Sequence, residues 1–282
     1  LEASDRSALL RTTLATCLLG GAVGCGGAGL DPDVPPVTEG EWYRPGVEVT
    51  WQWQLTGTPN TSYDVEIYDL DLFETEQDVI DGLHADGRRV LCYFSAGSSE
   101  DWRPDYDRFT RADKGYRLDG WAGERWLDIR SENVLAVMLD RLELAVEKRC
   151  DGVELDNMEA YSERSGFRLT ADDQLGWNRR LANEAHLRGL GIALKNDGAQ
   201  AAELVEYFDL SLNEQCHEYD ECAQLAPFTD AGKPILNAEY PGSESAAAAA
   251  RERLCAAAAA AETRTLLLPL DLDDAFRISC DE

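Results

Sequence analysis

The sequence predicts an α/β protein built as a single (β/α)8 TIM-type barrel, and three observations lead to this prediction. The chain has 282 residues, and one such barrel needs about 250. Hydrophobic residues make up 44% of the chain, which is enough to fill a large core. From about residue 48 onward, short apolar runs alternate with helix-forming stretches, and this alternation is typical of parallel strands joined by helical crossovers.

Eight apolar runs are predicted as the strands of this barrel. They are Val49–Leu55, Val65–Asp69, Arg89–Phe94, Gly152–Asp156, Gly191–Lys195, Leu210–Asn213, Pro234–Ala238 and Leu266–Leu270. The predicted helices cover residues 75–86, 132–149, 172–188, 199–207, 220–231 and 244–261. The link over residues 56–64 is too short for a helix, so the first β/α unit is predicted to be irregular. Residues 111–128 are rich in Trp, Gly and Asp, and we expect a long loop there on the functional rim.

The first 25 residues have the pattern of a signal peptide. Arg6 and Arg11 precede an apolar run over residues 14–19, and small residues follow as far as Cys25. Cys25 resembles the lipid-modified cysteine of a bacterial lipoprotein; ordinary secretion is the alternative, and both interpretations predict export. We expect residues 26–47 to be a flexible linker, because Gly, Pro and acidic residues occur there without periodicity. The (β/α)8 barrel domain would then span residues 48–282.

The charge of the chain limits its partners. Fifty-four acidic residues against 26 basic ones give a formal net charge of -28. This charge argues against nucleic acid, because phosphate backbones are bound by Lys and Arg. It suits a cationic partner, although a soluble acidic surface accounts for the charge equally well.

The cysteines are predicted to form disulfides. Outside residues 1–25 there are six of them: Cys92, Cys150, Cys216, Cys222, Cys255 and Cys280. An even set in an exported protein favours disulfides, and Cys216 with Cys222 is the nearest pair and the easiest to close. A metal site is the competing interpretation, but the chain has neither a Cys-x-x-Cys nor a His-Glu-x-x-His motif. We therefore expect disulfides, no metal site and no cofactor.

Polar side chains are concentrated at the predicted carboxyl ends of the strands, where barrels of this kind place their active residues. Carboxylates follow so many strands that turns and helix caps do not account for all of them, and we expect a negatively charged mouth. Glycosidic cleavage passes through a cation-like transition state, which one carboxylate stabilises while a second carboxyl group protonates the leaving oxygen. Such a mouth therefore favours sugar chemistry, with Trp and Tyr rings as flat faces for sugar rings.

Several motifs carry a resemblance to a known family. They are Trp51-Gln-Trp-Gln-Leu55, Tyr68-Asp-Leu-Asp-Leu-Phe73, Cys92-Tyr-Phe-Ser-Ala-Gly-Ser98, Glu100-Asp-Trp-Arg-Pro104, Cys150-Asp-Gly-Val153, Leu194-Lys-Asn-Asp197 and Asn213-Glu-Gln-Cys216 with the following Cys222. From about residue 49 to residue 240 the chain resembles the endo-α-1,4-polygalactosaminidase family, glycoside hydrolase family 114. The resemblance implies a TIM-type barrel that cuts α-1,4-linked galactosamine polymers internally. The free amines of such a polymer are cationic, which would explain the acidic chain.

The resemblance also implies site residues. The catalytic pair would be Asp156, as nucleophile or stabilising carboxylate, and Glu214, as acid/base. Glu154 stands where relatives are expected to have Asp-Pro or Glu-Pro, but this departure leaves Asp156 intact. The residues expected to bind substrate are Gln54, Asp69, Asp71, Tyr93, Ser95, Trp102, Asn157, Lys195, Asn213, Glu239 and Tyr240.

Three alternatives stay open at this point. Asp156 could cap the next turn while Glu214 pairs with Lys195, which would make both carboxylates structural. Lys195 could form a Schiff base with a carbonyl substrate. The protein could also be a surface lipoprotein that binds polysaccharide without cutting it. We expect a monomer that contacts a membrane only through a lipid on Cys25.

Overall fold

The computed structural model describes residues 30–281. The predicted signal peptide over residues 1–25 and the predicted lipidation of Cys25 lie outside these residues. Within the described part of the chain, no helix combines the length and the apolar character needed to cross a membrane.

Eight parallel strands curl into a barrel, which confirms the predicted fold. In chain order they are β1 (Trp51–Gln54), β2 (Ile67–Asp71), β3 (Arg89–Ser95), β7 (Gly152–Asp156), β8 (Gly191–Lys195), β9 (Leu210–Glu214), β10 (Ile235–Glu239) and β11 (Thr263–Leu267). They pair in that same order, and a short strand β12 (Ile278–Ser279) runs antiparallel to β11. Three further strands form a separate sheet: β4 (Ser98–Glu100), β5 (Lys114–Arg117) and β6 (Glu124–Leu127).

Side chains bring the first and last parallel strands together. Trp51 Nε1 donates to the carbonyl oxygen of Arg264 at 2.8 Å, and Arg264 Nε donates back to the carbonyl oxygen of Val49 at 3.0 Å. Above them, the backbone N–H of Leu55 donates to the carbonyl oxygen of Leu272 at 3.0 Å. The barrel is therefore closed at this seam by a tryptophan and an arginine.

Within residues 30–281, six α-helices surround the strands. They are α1 (Gln77–Ala85), α2 (Glu132–Glu147), α3 (Ala171–Leu187), α4 (Ala201–Leu204), α5 (Ala226–Asp230) and α6 (Glu244–Ala261). Residues 55–66, all of which the structure describes, contain no helix, so the first unit is irregular as predicted. The predicted helices 199–207 and 220–231 were too long, because each begins with a 3-10 turn before a short α-helix.

Two further boundaries differ from the prediction. The last parallel strand begins three residues before the predicted Leu266, because α6 ends at Ala261 and Glu262 turns the chain with a left-handed φ of 55°. Residues 111–128 were expected to be a loop, but they contain β5 and β6. These strands form because β6 pairs with β4, which lies far away in sequence.

The expected linker is wrong for residues 30–47, which pack against the outside of the barrel. Trp42 stacks on His186 with ring centroids 4.0 Å apart, and its Nε1 donates to Asp209 at 2.9 Å. The Tyr43 hydroxyl donates to Glu66 at 2.6 Å, and the backbone N–H of Val37 donates to Asn183 at 2.7 Å. Aromatic anchors of this kind hold a segment in place although its sequence has no periodicity.

Side chains along each strand alternate between the inside and the outside of the barrel. One apolar cluster fills the inside and includes Trp51, Trp53, Leu91 and Leu212. A larger cluster lies between the strands and the helices. Because both faces are buried, the strands form nearly continuous apolar runs in the sequence, and the direction of each side chain is not visible there.

Three disulfides join the described cysteines. The predicted pair Cys216–Cys222 is present and closes the loop after β9. One further disulfide joins Cys92 in β3 to Cys150, shortly before β7. The other joins Cys255 in α6 to Cys280, next to β12. The prediction of disulfides is confirmed.

Candidate active site

Three neighbouring strands end in the same way at the mouth of the barrel. The last residues of β7, β8 and β9 are Asp156, Lys195 and Glu214. The residue after each has a left-handed φ, at 62° for Asn157, 51° for Asn196 and 56° for Gln215. Asn tolerates this conformation better than most residues. The sharp turns leave the three strand-end side chains converging on one point.

Lys195 is the centre of that point. Its Nζ lies 2.9 Å from Asp156 Oδ1, 3.0 Å from Glu214 Oε2 and 3.3 Å from Glu154 Oε1. Burial alone would lower the pKa of Lys195, but the three carboxylates raise it well above its usual value. The ammonium therefore stays protonated. We call these four residues the Lys195 cluster.

Asp156 is held by three donors. In addition to Lys195, the Tyr93 hydroxyl donates to Oδ2 at 3.1 Å and Asn157 Nδ2 donates to the same atom at 3.2 Å. Gly97 makes this arrangement possible, since a Cβ at that position would lie 1.8 Å from the carbonyl oxygen of Asn157. The hydrogen bonds fix the orientation of Asp156.

Glu214 is held from the opposite side of Lys195. The Tyr240 hydroxyl donates to Oε1 at 2.5 Å, and Asn196 Nδ2 donates to Oε2 at 3.3 Å. Asn196 Oδ1 also accepts the backbone N–H of Glu214 at 3.0 Å. Because Asp156 Oδ1 and Glu214 Oε2 both lie near one nitrogen, these two oxygens are no more than about 6 Å apart.

A second carboxyl pair joins Glu154 of the Lys195 cluster to Asp69, which lies outside that cluster. Burial raises the pKa of Glu154 to about 7, and burial together with Glu154 raises the pKa of Asp69 well above its usual value. Trp53 Nε1 donates to Glu154 Oε2 at 3.0 Å. Both carboxyl groups are fully buried, and the pair therefore favours holding a proton.

The Lys195 cluster opens into a cleft of about 710 Å³. Two exposed tryptophans stand at its edge: Trp102 is 51% exposed and Trp121 is 52% exposed. Two carboxyl groups of the cleft wall, Glu124 and Glu159, were not predicted from the sequence. Burial raises the pKa of Glu124 to about 7 and that of Glu159 well above its usual value. Glu124 begins β6 and Glu159 lies in a turn, and no pattern in the sequence indicates either residue.

A second charged group lies on the wall of the same cleft. Arg103 Nη2 is 2.6 Å from Asp71 Oδ2 and 2.7 Å from Glu100 Oε1. Arg141 lies 3.7 Å from Glu100 and bonds Asp105 through two nitrogens, each at 2.8 Å. We call these five residues the Arg103 cluster. Asp71, predicted to bind substrate, is thus bound to an arginine.

The predicted site residues fall into two groups. The cleft is lined by Asp71, Tyr93, Trp102, Asp156, Asn157, Lys195 and Glu214. Tyr240 contacts Glu214 directly. Ser95 is fully buried and accepts a hydrogen bond from Asn157, while Asp69 lies beneath the cleft.

Gln54, Asn213 and Glu239 do not line the cleft. Each directly follows or precedes a residue whose side chain faces the inside of the barrel, such as Trp53 or Glu214. Because side chains alternate along a strand, its own side chain lies on the outer face of the sheet. Gln54 bonds the backbone of residues 56, 58 and 60. Glu239 accepts the backbone N–H of His217 at 2.9 Å, and Asn213 donates to Asn196 at 3.1 Å. These three residues support the loops around the cleft.

Known proteins resemble this chain over most of its length. The model of glycoside hydrolase family GH114 matches residues 33–282. Among solved structures, the chain is similar to Aspergillus fumigatus Ega3 in complex with galactosamine, with 41% identity and a TM-score of 0.80, covering 86% of this chain and 99% of that one. A comparison with the curated proteins gave no match.

More distant structures share the fold alone. The glycoside hydrolase domain of PelA from Pseudomonas aeruginosa is 15% identical with a TM-score of 0.66, covering 82% of this chain and 98% of that one. Amy13B from Eubacterium rectale is 8% identical with a TM-score of 0.51, covering 76% of this chain and 64% of that one. Because the family model matches nearly all of the described residues, the chain belongs to glycoside hydrolase family 114 and is a glycoside hydrolase.

Proposed function

We propose that the protein cuts α-1,4-linked, galactosamine-rich polysaccharide internally, using Asp156 and Glu214 as the reacting carboxyl groups. The convergence of these two residues on Lys195 in an open cleft is the observation that carries the proposal. The solved relative that is 41% identical holds galactosamine. The ammonium group of galactosamine suits a cleft whose wall is rich in carboxylates.

The proposed reaction has two steps and retains the configuration of the sugar. Glu214 donates a proton to the glycosidic oxygen while Asp156 attacks the anomeric carbon, so that the bond to the leaving sugar breaks and a glycosyl ester forms on Asp156. Glu214 then takes a proton from water, which attacks the same carbon and releases Asp156. Retaining enzymes separate their carboxyl groups by roughly 5–5.5 Å and inverting ones by roughly 6.5–9.5 Å, so the short distance here favours retention.

Lys195 would serve both steps without reacting itself. Its ammonium lies within 3.0 Å of an oxygen of both Asp156 and Glu214 and holds the two side chains in position. Once Asp156 is esterified, the ammonium still contacts Glu214 and Glu154, so Glu214 stays in place for the second step. The raised pKa of Lys195 disfavours the neutral amine required for Schiff-base chemistry, so aldolase-like activity is not supported.

Product analysis by mass spectrometry tests this proposal. We expect purified protein to release short oligosaccharides from partly deacetylated α-1,4-galactosaminogalactan, and Asp156→Asn and Glu214→Gln each to lower kcat at least about a hundredfold. Proton NMR of the first product would give its anomeric configuration, and an inverted product would overturn the two-step mechanism. Retained binding without cleavage would instead support the binding-only lipoprotein.

We further propose export of the protein, with Cys25 as the lipid-bearing residue. The three disulfides support an oxidising compartment. Labelling with a fatty acid in a bacterial host, followed by membrane fractionation, tests this. The wild-type chain should carry label in the membrane fraction, and Cys25→Ser should lose the label. An unlabelled wild type recovered outside the cells would point to ordinary secretion.

A further inference from the structure

A groove of about 360 Å³ continues from the cleft along the three-stranded sheet. The two cavities share Leu118, Trp121, Asn157 and Glu159, so a polymer that leaves the cleft on this side enters the groove directly. Trp121 stands at the junction. Tyr116 follows in the groove and is 56% exposed.

The backbone of Tyr116 is fixed although its ring is exposed. Its backbone N–H donates to the carbonyl oxygen of Ser165 at 2.9 Å. Gly166 has a φ of 90°, and a Cβ there would lie 3.0 Å from Tyr116 N and 3.1 Å from its ring. The turn at residues 165–166 therefore packs closely against Tyr116. An exposed aromatic ring on a fixed backbone is a suitable face for a sugar ring.

The local charge changes along this path. The cleft wall has eight carboxyl groups, and its two cations, Arg103 and Lys195, are both paired with carboxylates. The groove has two arginines, Arg117 and Arg164, against three carboxyl groups, Asp119, Glu159 and Glu163, so its charge is nearly balanced. Neither arginine forms an ion pair within residues 30–281, and Arg164 lies 5.6 Å from the Tyr116 ring. The depression beyond Tyr116 is lined by Arg111, Lys114 and Arg125 and by no carboxylate of the described chain.

This change of charge discriminates between the two kinds of unit in a partly deacetylated polymer. A galactosamine unit carries an ammonium group, which the acidic cleft attracts and the nearly balanced groove attracts much less. An N-acetylated unit is neutral, and its carbonyl oxygen accepts hydrogen bonds from guanidinium groups. We propose that the groove binds N-acetylgalactosamine units of the polymer while the cleft binds a deacetylated unit at the cut. This inference rests on the proposed function and adds a second specificity site to it.

Sequencing of products from a randomly and partly deacetylated polymer tests the inference. Wild-type products should have deacetylated units at the cut and an excess of acetylated units a fixed, short distance from it. In Arg117→Glu combined with Arg164→Glu, that excess should disappear or reverse. Random acetylation at that distance in the wild type, or unchanged products from the double variant, would overturn the inference while the proposed function stands. No cleavage by the wild type would overturn both.

Kinetics with Tyr116→Ala provide a second test that does not depend on sequencing. We expect KM on the long polymer to rise about fivefold to tenfold with kcat unchanged, because a stacking face is lost outside the reacting centre. Chains too short to reach the groove should be cut as by the wild type. Tyr219→Ala is the matched control, because Tyr219 is 62% exposed and lines neither cavity. Equal KM values for both variants on the long polymer would contradict the inference.

Discussion

The Lys195 cluster and the Arg103 cluster both contribute residues to the wall of one cleft, but they differ in their balance of positive and negative charge. The Lys195 cluster has one cation against three carboxyl groups, Glu154, Asp156 and Glu214. The Arg103 cluster has two arginines against three carboxylates, and its guanidinium groups make paired, short contacts. Negative charge is therefore in excess at the first cluster and nearly balanced at the second.

Under the proposed mechanism, this difference distinguishes a reacting site from a supporting one. An excess of carboxylate is unfavourable in the empty protein, but it is the environment that a cation-like transition state needs. A nearly balanced buried cluster does not provide that stabilisation, but losing one partner from it leaves an uncompensated charge. Substitutions in the two clusters should therefore affect different measurements.

Lys195→Met should have the largest effect, and the effect should be on catalysis. Without the ammonium, Asp156 and Glu214 repel each other and lose their shared anchor, so we expect kcat to fall at least about a hundredfold. Lys233→Met is the matched control, because Lys233 bonds only the backbone oxygens of Val205 and Phe208 away from the cleft. Steady-state kinetics would measure both variants. A near-wild-type kcat for Lys195→Met would contradict the catalytic role of the Lys195 cluster.

Arg103→Met should act mainly on stability. It leaves Asp71 and Glu100 buried without their shared partner, which should lower the free energy of unfolding by about 3–5 kcal/mol. Urea unfolding followed by tryptophan fluorescence would measure this. The folded fraction should keep more activity than Lys195→Met. If Arg103→Met leaves the unfolding midpoint unchanged, the Arg103 cluster has no supporting role.

Glu154→Gln sharpens the comparison within the Lys195 cluster. The folded-state pKa of Glu154 is raised to about 7, so the stability that this group contributes is present at acidic pH and lost as the pH rises through about 7. The variant should therefore lose less free energy of unfolding than the wild type as the pH rises from 4.5 to about 7. Its kcat/KM profile should also lack the inflection near pH 7 that ionisation of Glu154 gives the wild type. An identical inflection in both proteins would assign it to another group.

Asp197→Asn should give the smallest effect. Burial raises the pKa of Asp197 to about 8, and its stability contribution is lost as the pH rises through that value. Asn keeps an acceptor for Asn178 Nδ2 and tolerates the left-handed φ of 46°. The variant should gain roughly 1–3 kcal/mol of stability relative to the wild type between about pH 5 and about pH 8. Thermal unfolding at both pH values would measure this, and a gain independent of pH would point to a cause other than charge.

The sequence predicted most of the elements, but it did not predict which strand-end side chains face the cleft. Asn213 and Glu214 are neighbours at the end of β9, and only Glu214 points inward. On a strand with one wet face, alternation of polar and apolar residues would have separated them. Here Leu210 and Leu212 face the inside while helices cover the outside, so no alternation is visible.

The sequence by itself determined the order of strands and helices, the family and the carboxylates after β7 and β9, because these depend on local patterns and contiguous motifs. Only the tertiary structure decided that Lys195 lies between the carboxylates, that Trp51 and Arg264 close the barrel, and that residues 30–47 pack against it. It also decided that residues 111–128, which were expected to be a loop, contain strands beside a groove. Each of these features joins residues far apart in the chain, and such contacts depend on the closure and registry of the whole barrel.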